Sequence, residues 1–215
     1  MPFCNQTLTI DTLEEKCKNC TVLGANIDLK LKDYTDYYKS ETLNILNAVP
    51  SAEGAVLCAL ENSEITIYNS KCLVIGNGRI GKILSDRLNA LKATVFVSAR
   101  KESDLAYITA NGLTAIKTDS ICEHIDKFDF IFNTVPHLIL DEQVLSKCKK
   151  DALIIDLASK PGGTDFKAAQ KRNIKAIHAL ALPSKSAPKT AAQFIANTLT
   201  QYLYQRIQGE KLCKD

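Results

Sequence analysis

The chain has 215 residues, 46 % of them hydrophobic and 24 % charged, with a formal net charge of +3 and a mean hydropathy of -0.07. These values fit a globular protein with room for one ordinary domain and a smaller lobe. They argue against nucleic-acid binding, since the charge is small and Lys and Arg form no stripe, and no run of the roughly 20 apolar residues that a membrane span needs stands out.

Met1 to Glu15 is too polar for a signal peptide. Of the eight cysteines, Cys58, Cys72, Cys122 and Cys148 sit singly in apolar or helical patterns, as small hydrophobes do. Cys17 and Cys20 form a lone C-x-x-C without the second ligand pair of a structural zinc site, so no metal is expected. Cysteine usage of this kind points to a reducing cytoplasm. Up to Asn69 the pattern predicts a short strand at Thr21 to Leu23, a polar stretch from Tyr34 to Lys39 and a helix from Ala52 to Glu61.

From Lys71 onward, short apolar runs alternate with amphipathic stretches. Lys71 to Ile75 reads as a strand, and Arg79 to Leu91 as a helix with Ile80, Ile83, Leu84, Leu88 and Leu91 at helical spacing. Next come a strand at Thr94 to Val97, a helix at Asp104 to Asn111 closed by Gly112, and a strand at Leu113 to Ile116. Strands at Phe128 to Phe132 and Ala152 to Ile155 flank a helix over Gln143 to Lys149. A helix at Phe166 to Arg172, a last strand at Ile174 to Ile177 and a long final helix complete the chain. Ser186 is expected to cap that helix, Pro188 to fill its first turn, and Gln208 to Asp215 to fray. The alternation predicts an α/β fold, a doubly wound Rossmann-type parallel sheet with a small, incomplete N-terminal α/β lobe. The domains expected are residues 1–65 as that lobe, 66–185 as the nucleotide-binding domain, and 186–215 as a C-terminal helix packing back.

Gly76-Asn77-Gly78-Arg79-Ile80-Gly81 lies where a strand gives way to a helix, which lifts G-x-G-x-x-G above a chance match. Gly76 allows the tight turn, Gly78 lets the backbone approach a pyrophosphate, and Gly81 lets helix and strand pack closely. The anion then rests on free N–H groups at the helix start. At the end of the second strand an NAD site usually carries an acid, but this chain has Ser98-Ala99-Arg100-Lys101. A hydroxyl and a guanidinium suit a 2′-phosphate, so NADP is the expected cofactor; the alternative is NAD, with Arg100 merely solvated. Asn133, Thr134, Val135 and Pro136 end a strand at the carboxyl edge and are read either as the nicotinamide wall or as a cap with a stiff loop. Asp156, Leu157 and Ala158, at the next strand end, are read as further cofactor contacts.

Three stretches carry a resemblance. Asn47-Ala48-Val49-Pro50-Ser51-Ala52-Glu53-Gly54-Ala55, Asp156-Leu157-Ala158-Ser159-Lys160-Pro161-Gly162-Gly163-Thr164-Asp165-Phe166, and Leu182-Pro183 with Ala187-Pro188-Lys189-Thr190-Ala191 resemble the A-chain family of dipicolinate synthases. The resemblance covers about Asn47 to Leu203. It implies an NADP-dependent oxidoreductase of sporulation, in the mother-cell cytoplasm of an endospore former. With the synthase's flavoprotein-like B-chain partner it would oxidise dihydrodipicolinate, from the lysine pathway, to dipicolinate (pyridine-2,6-dicarboxylate). Two departures stand out: only Met1 to Leu46 precedes the Asn-Ala-Val-Pro motif, where relatives have a complete α/β domain, and Ser184 stands where Gly is expected. A shortened lobe would leave apolar surface for that partner or a second copy, a homo-oligomer, to cover.

A flat dicarboxylate needs anion holders at two ends. Ser51, read as the start of the helix from Ala52, offers its hydroxyl and the first free N–H groups for one. Lys160, beyond a strand end and beside Gly162-Gly163, or Lys189, opening the final helix, offers a cation for the other. Lys160 and Ser51 are the catalytic candidates; each of these residues also has a plain reading, a cap for Ser51 and solvated charge for the lysines. Rival functions are another two-domain NADP dehydrogenase of the methylenetetrahydrofolate or shikimate kind, or a non-catalytic nucleotide-binding partner.

Overall fold

A strand buried on both faces reads as an unbroken apolar run, and Lys71–Ile75, Phe130–Asn133 and Leu153–Asp156 are such runs. The computed structural model describes residues 9–18, 20–25, 30–31 and 33–209. The described residues form two compact units, one from the stretches Met1–Asn44 and Ala192–Asp215, the other Ile45–Ala191.

In the first unit, helix α1 (Ile10–Lys16) is capped by Thr9, whose side chain accepts from Thr12 N. Strands β1 (Val22–Gly24) and β2 (Tyr34–Asp36) pair in parallel, with Leu23 opposite Thr35. Asp33 accepts from Thr21 Oγ1 at 2.9 Å and pairs with Arg206. Helix α2 (Glu41–Asn62) begins here, with Ser40 Oγ accepting from Leu43 N at 3.3 Å, and its remainder belongs to the second unit.

That helix departs from the sequence reading. It starts at Glu41, not Ala52, and Pro50 lies inside it. A proline forfeits one ladder bond, a cost of about 3 kcal/mol, and Ala48, Ala52, Ala55 and Ala59 offset it by burial along one edge of the helix. The extra length also corrects the membrane statement: by length and composition alone, Glu41–Asn62 could span a bilayer, although 44 % of its most apolar window is buried inside the protein.

The second unit carries β3 (Lys71–Ile75), α3 (Arg79–Ala90), β4 (Thr94–Ala99), α4 (Glu102–Ala110), β5 (Thr114–Lys117), β6 (Phe130–Asn133), α5 (Glu142–Leu145), β7 (Leu153–Asp156), α6 (Phe166–Lys171), β8 (Lys175–His178), α7 (Leu182–Ser186) and the start of α8 (Pro188–Ile207). All six strands are parallel, in the order β5-β4-β3-β6-β7-β8. The fold is α/β and doubly wound, and the order reverses between β3 and β6. Alternate residues serve opposite faces. Cys72, Val74, Phe130 and Phe132 pack with Ala55 and Ala59 of α2 and Leu84 and Leu88 of α3, while Leu73, Ile75, Ile131 and Ile154 pack with Ile121, Phe128 and Leu145. Burial pushes the Cys72 thiol up to about 11, in keeping with its place as a small apolar group.

Ser186 does not cap the last helix. It ends α7, donating from Oγ to Leu182 O at 2.8 Å and to Pro50 O at 3.0 Å. Ala187, with φ -143° and ψ 61°, breaks the helical run between the two helices, so the polar run before Pro188 became a turn of its own. At the other end of α2, whose last turn holds no basic residue, Lys175 of β8 donates from Nζ to Asn62 O at 2.8 Å.

Candidate nucleotide-binding site

The strand register places Ser98, Ile75, Asn133, Asp156 and His178 in one row across the carboxyl edge of the sheet. The middle of that row is the strand-order switch, where doubly wound folds bind ligands. A cavity of about 270 Å³ opens there, lined by Gly76, Asn77, Gly78, Ser98, Arg100, Lys101, Thr134, Val135 and Pro136, all read as cofactor contacts from the sequence. Ala99, Asp104, Thr118 and Ile139 also line it and were not anticipated. Thr118, directly after β5, follows from the rule that strand ends face the ligand. Asp104 returns to the cavity from the first turn of α4, which spacing along one strand does not reveal.

Each glycine of the motif has its own geometry. Gly76 has a φ of +99°, and a Cβ there would lie 2.6 Å from Thr134 Oγ1. At Gly81 a Cβ would collide with Gly76 O, so only glycine lets α3 approach the loop. At Gly78 no atom lies within 4 Å of an added Cβ, which leaves room for a ligand against the backbone. Gly78 is also the N-cap of α3 and brings no side-chain cap, so the start of that helix presents backbone N–H groups suited to an anion.

Ser98 supplies the clearest sign that a ligand belongs here. It is 0 % exposed, its Oγ has no hydrogen-bond partner, and it lines the cavity. A buried hydroxyl left unpaired costs about 1–3 kcal/mol, which a bound acceptor would relieve. Arg100 and Lys101 are exposed beside it and make no ion pair among the described residues. The set fits a nicotinamide dinucleotide. Thr134, by contrast, has committed its hydroxyl to Ile75 O at 2.8 Å, so it meets a ligand mainly through carbon and backbone.

Residues 53–161 match the family described as D-isomer specific 2-hydroxyacid dehydrogenase, NAD binding domain. The dipicolinate synthase A chain of Bacillus subtilis (strain 168) is 42 % identical over 174 residues, which cover 81 % of this chain and 58 % of that protein. The crystal structure of dipicolinate synthase A chain from Bacillus subtilis superposes with a TM-score of 0.88 at 36 % identity, covering 97 % of this chain and 73 % of that one. The structure of its Bacillus halodurans counterpart gives 0.87 at 32 % identity, covering 94 % and 72 %. The chain belongs to the dipicolinate synthase A-chain family.

In this member of the dipicolinate synthase A-chain family, the other half of the strand-end row is a closed clasp. Asp156 is fully buried; Oδ1 accepts from Asn133 Nδ2 at 2.9 Å and Ala158 N at 3.0 Å, and Oδ2 from Gly163 N at 2.8 Å. Asn133 also donates to Val135 O at 3.0 Å and accepts from Val135 N at 3.1 Å. Asn133 and Asp156 therefore do not line the cavity as the sequence reading had it; they tie its 134–136 wall to the Lys160 loop. Ala158 is buried and Leu157 packs against the core. His178 completes the clasp, its Nε2 lying 2.9 Å from Ala158 O and its ring stacked on Phe166.

The substrate-side residues are less concentrated. Ser51 and Ala52 lie inside α2, where N–H groups belong to the helix ladder, so neither offers the free helix start that the sequence suggested. Ser51 Oγ donates to Asn47 O at 2.8 Å. Lys160 and Lys189 are exposed and make no ion pair among the described residues, Lys160 on the clasp loop and Lys189 in the first turn of α8.

Proposed function

We propose that this chain acts as the NADP-dependent component of a dipicolinate synthase, oxidising dihydrodipicolinate to dipicolinate during sporulation. The observation that carries the reading is the buried, unpartnered Ser98 hydroxyl in a cavity that also holds Arg100, Lys101 and the uncapped start of α3. Ser98, Arg100 and Lys101 take the 2′-phosphate, the α3 start takes the pyrophosphate, and residues 134–136 flank the nicotinamide. A bound nicotinamide supplies the hydride acceptor. Lys160 and Lys189 hold the substrate carboxylates, and Ser51 contributes by turning its hydroxyl away from Asn47 O. Hydride leaves one ring carbon, a proton leaves a neighbouring position, and the ring becomes aromatic.

By role, residues 1–65 serve the substrate side, 66–185 bind the dinucleotide and 186–215 brace the lobe. The chain spans 58 % of the curated relative's length, so the whole enzyme's reaction, the flavoprotein-like B-chain partner and a mother-cell location all belong to this proposal. The test is turnover of dihydrodipicolinate with NADP+, with and without that flavoprotein-like partner. Lys160→Ala and Ser51→Ala should each lose about 10- to 100-fold, the weight of a charge-assisted hydrogen bond. Arg100→Asp should weaken NADPH far more than NADH. Unchanged rates in both alanine variants reject the substrate assignment, and equal effects on the two coenzymes reject the 2′-phosphate assignment.

A further inference from the structure

An acid faces the cavity whose cations are assigned to phosphate. Asp104 lines the same space as Ser98, Arg100 and Lys101, and Asn77 Nδ2 donates to its Oδ1 at 3.1 Å. Asn77 is itself held, because Gly76 takes up its tight turn and donates from N to Ser98 O at 3.0 Å. An amide donor orients a carboxylate without cancelling its charge. Among the described residues Asp104 pairs with no cation.

We propose that Asp104 is a specificity-determining residue: fixed at the cavity wall by Asn77, it opposes the cofactor's 2′-phosphate and narrows the preference for NADP(H) over NAD(H). The inference rests on the reading that a dinucleotide lies in this cavity with that phosphate at Ser98, Arg100 and Lys101. Two positive side chains favour the phosphate and one fixed negative side chain works against it. A 2′-hydroxyl carries no charge, so the same carboxylate costs NADH little. The chain therefore takes NADPH first but does not exclude NADH.

Asp104→Asn separates charge from shape, since the new amide oxygen still accepts from Asn77. Dissociation constants for NADPH and NADH are measured by coenzyme fluorescence on wild type, Asp104→Asn, Asp104→Ala and Arg100→Asp, with thermal melting to show that each is folded. Asp104→Asn should tighten NADPH about tenfold, one charge at close range in a partly screened site, and leave NADH within about twofold. Asp104→Ala should do the same, and the gain should shrink in high salt, as a through-space charge effect does. An unchanged NADPH/NADH ratio in Asp104→Asn overturns the inference, and so does a selective loss of NADH, which would make Asp104 a ribose acceptor instead. The underlying reading fails separately: wild type would then bind neither coenzyme, or Arg100→Asp would leave the ratio unmoved. If Arg100→Asp lowers NADPH selectively while Asp104→Asn changes nothing, only the Asp104 inference falls.

Discussion

Two polar residues on one strand-end row, Ser98 and Asp156, are equally buried and oppositely served. Ser98 Oγ has no partner, whereas both Asp156 oxygens are filled by protein donors. A buried polar atom left open on a cavity wall is one a ligand can satisfy, and one fully satisfied marks scaffold; the open Thr164 Oγ1 near the clasp does not line this cavity. The β3–β4 side of the edge is therefore built to receive, and the β6–β8 side to hold its loops still. Residue type alone would have ranked the buried acid as the stronger functional candidate.

The sharpest way to break this contrast lies in the glycine loop. Gly81→Ala places a methyl against the Gly76 carbonyl; it should destabilise by about 3 kcal/mol, at the upper end for overpacking, and abolish coenzyme binding. Gly78→Ala meets no atom, so it should leave the melting temperature unchanged and weaken only the coenzyme, by calorimetric titration. If both variants melt early, the loop is plain packing. On the clasp side, Asp156→Asn puts an NH₂ where N–H donors already point. A loss of about 2 kcal/mol in chemical denaturation is expected, the cost of a donor left unpaired, with coenzyme affinity falling much less. Ser98→Ala should shift stability by less than Asp156→Asn, and with opposite sign: a gain of up to about 1 kcal/mol from deleting an unpaired hydroxyl, with weaker NADPH. If Ser98→Ala destabilises instead, the hydroxyl is not the vacancy the contrast requires.

The sheet was legible because its central strands are buried on both faces and bounded by turn residues; β3 spans Lys71 to Ile75 as the pattern predicts. Helix ends were less so. Pro50 and Ser51 look like a stop and a start, and only the alanine edge packed against the sheet carries α2 through them. The glycine motif and the Ser98-Ala99-Arg100-Lys101 tip were visible as local patterns, and they converge on one cavity. The clasp was not, because Asn133, Asp156 and Gly163 meet through a register that only the folded sheet sets. Asp104 was hidden for a similar reason, since its partner Asn77 is 27 residues away.

Lys175 lends a cation to the last turn of α2 from 113 residues downstream. Asn62 Nδ2 closes one carbonyl of that turn itself, donating to Cys58 O at 3.0 Å, and the Asn62 carbonyl is served by the sheet's outermost strand. A fragment cut after β7 would keep the whole glycine loop and lose that last contact at Asn62. A dinucleotide-binding fragment is therefore expected to melt higher when it extends through His178 than when it stops at β7.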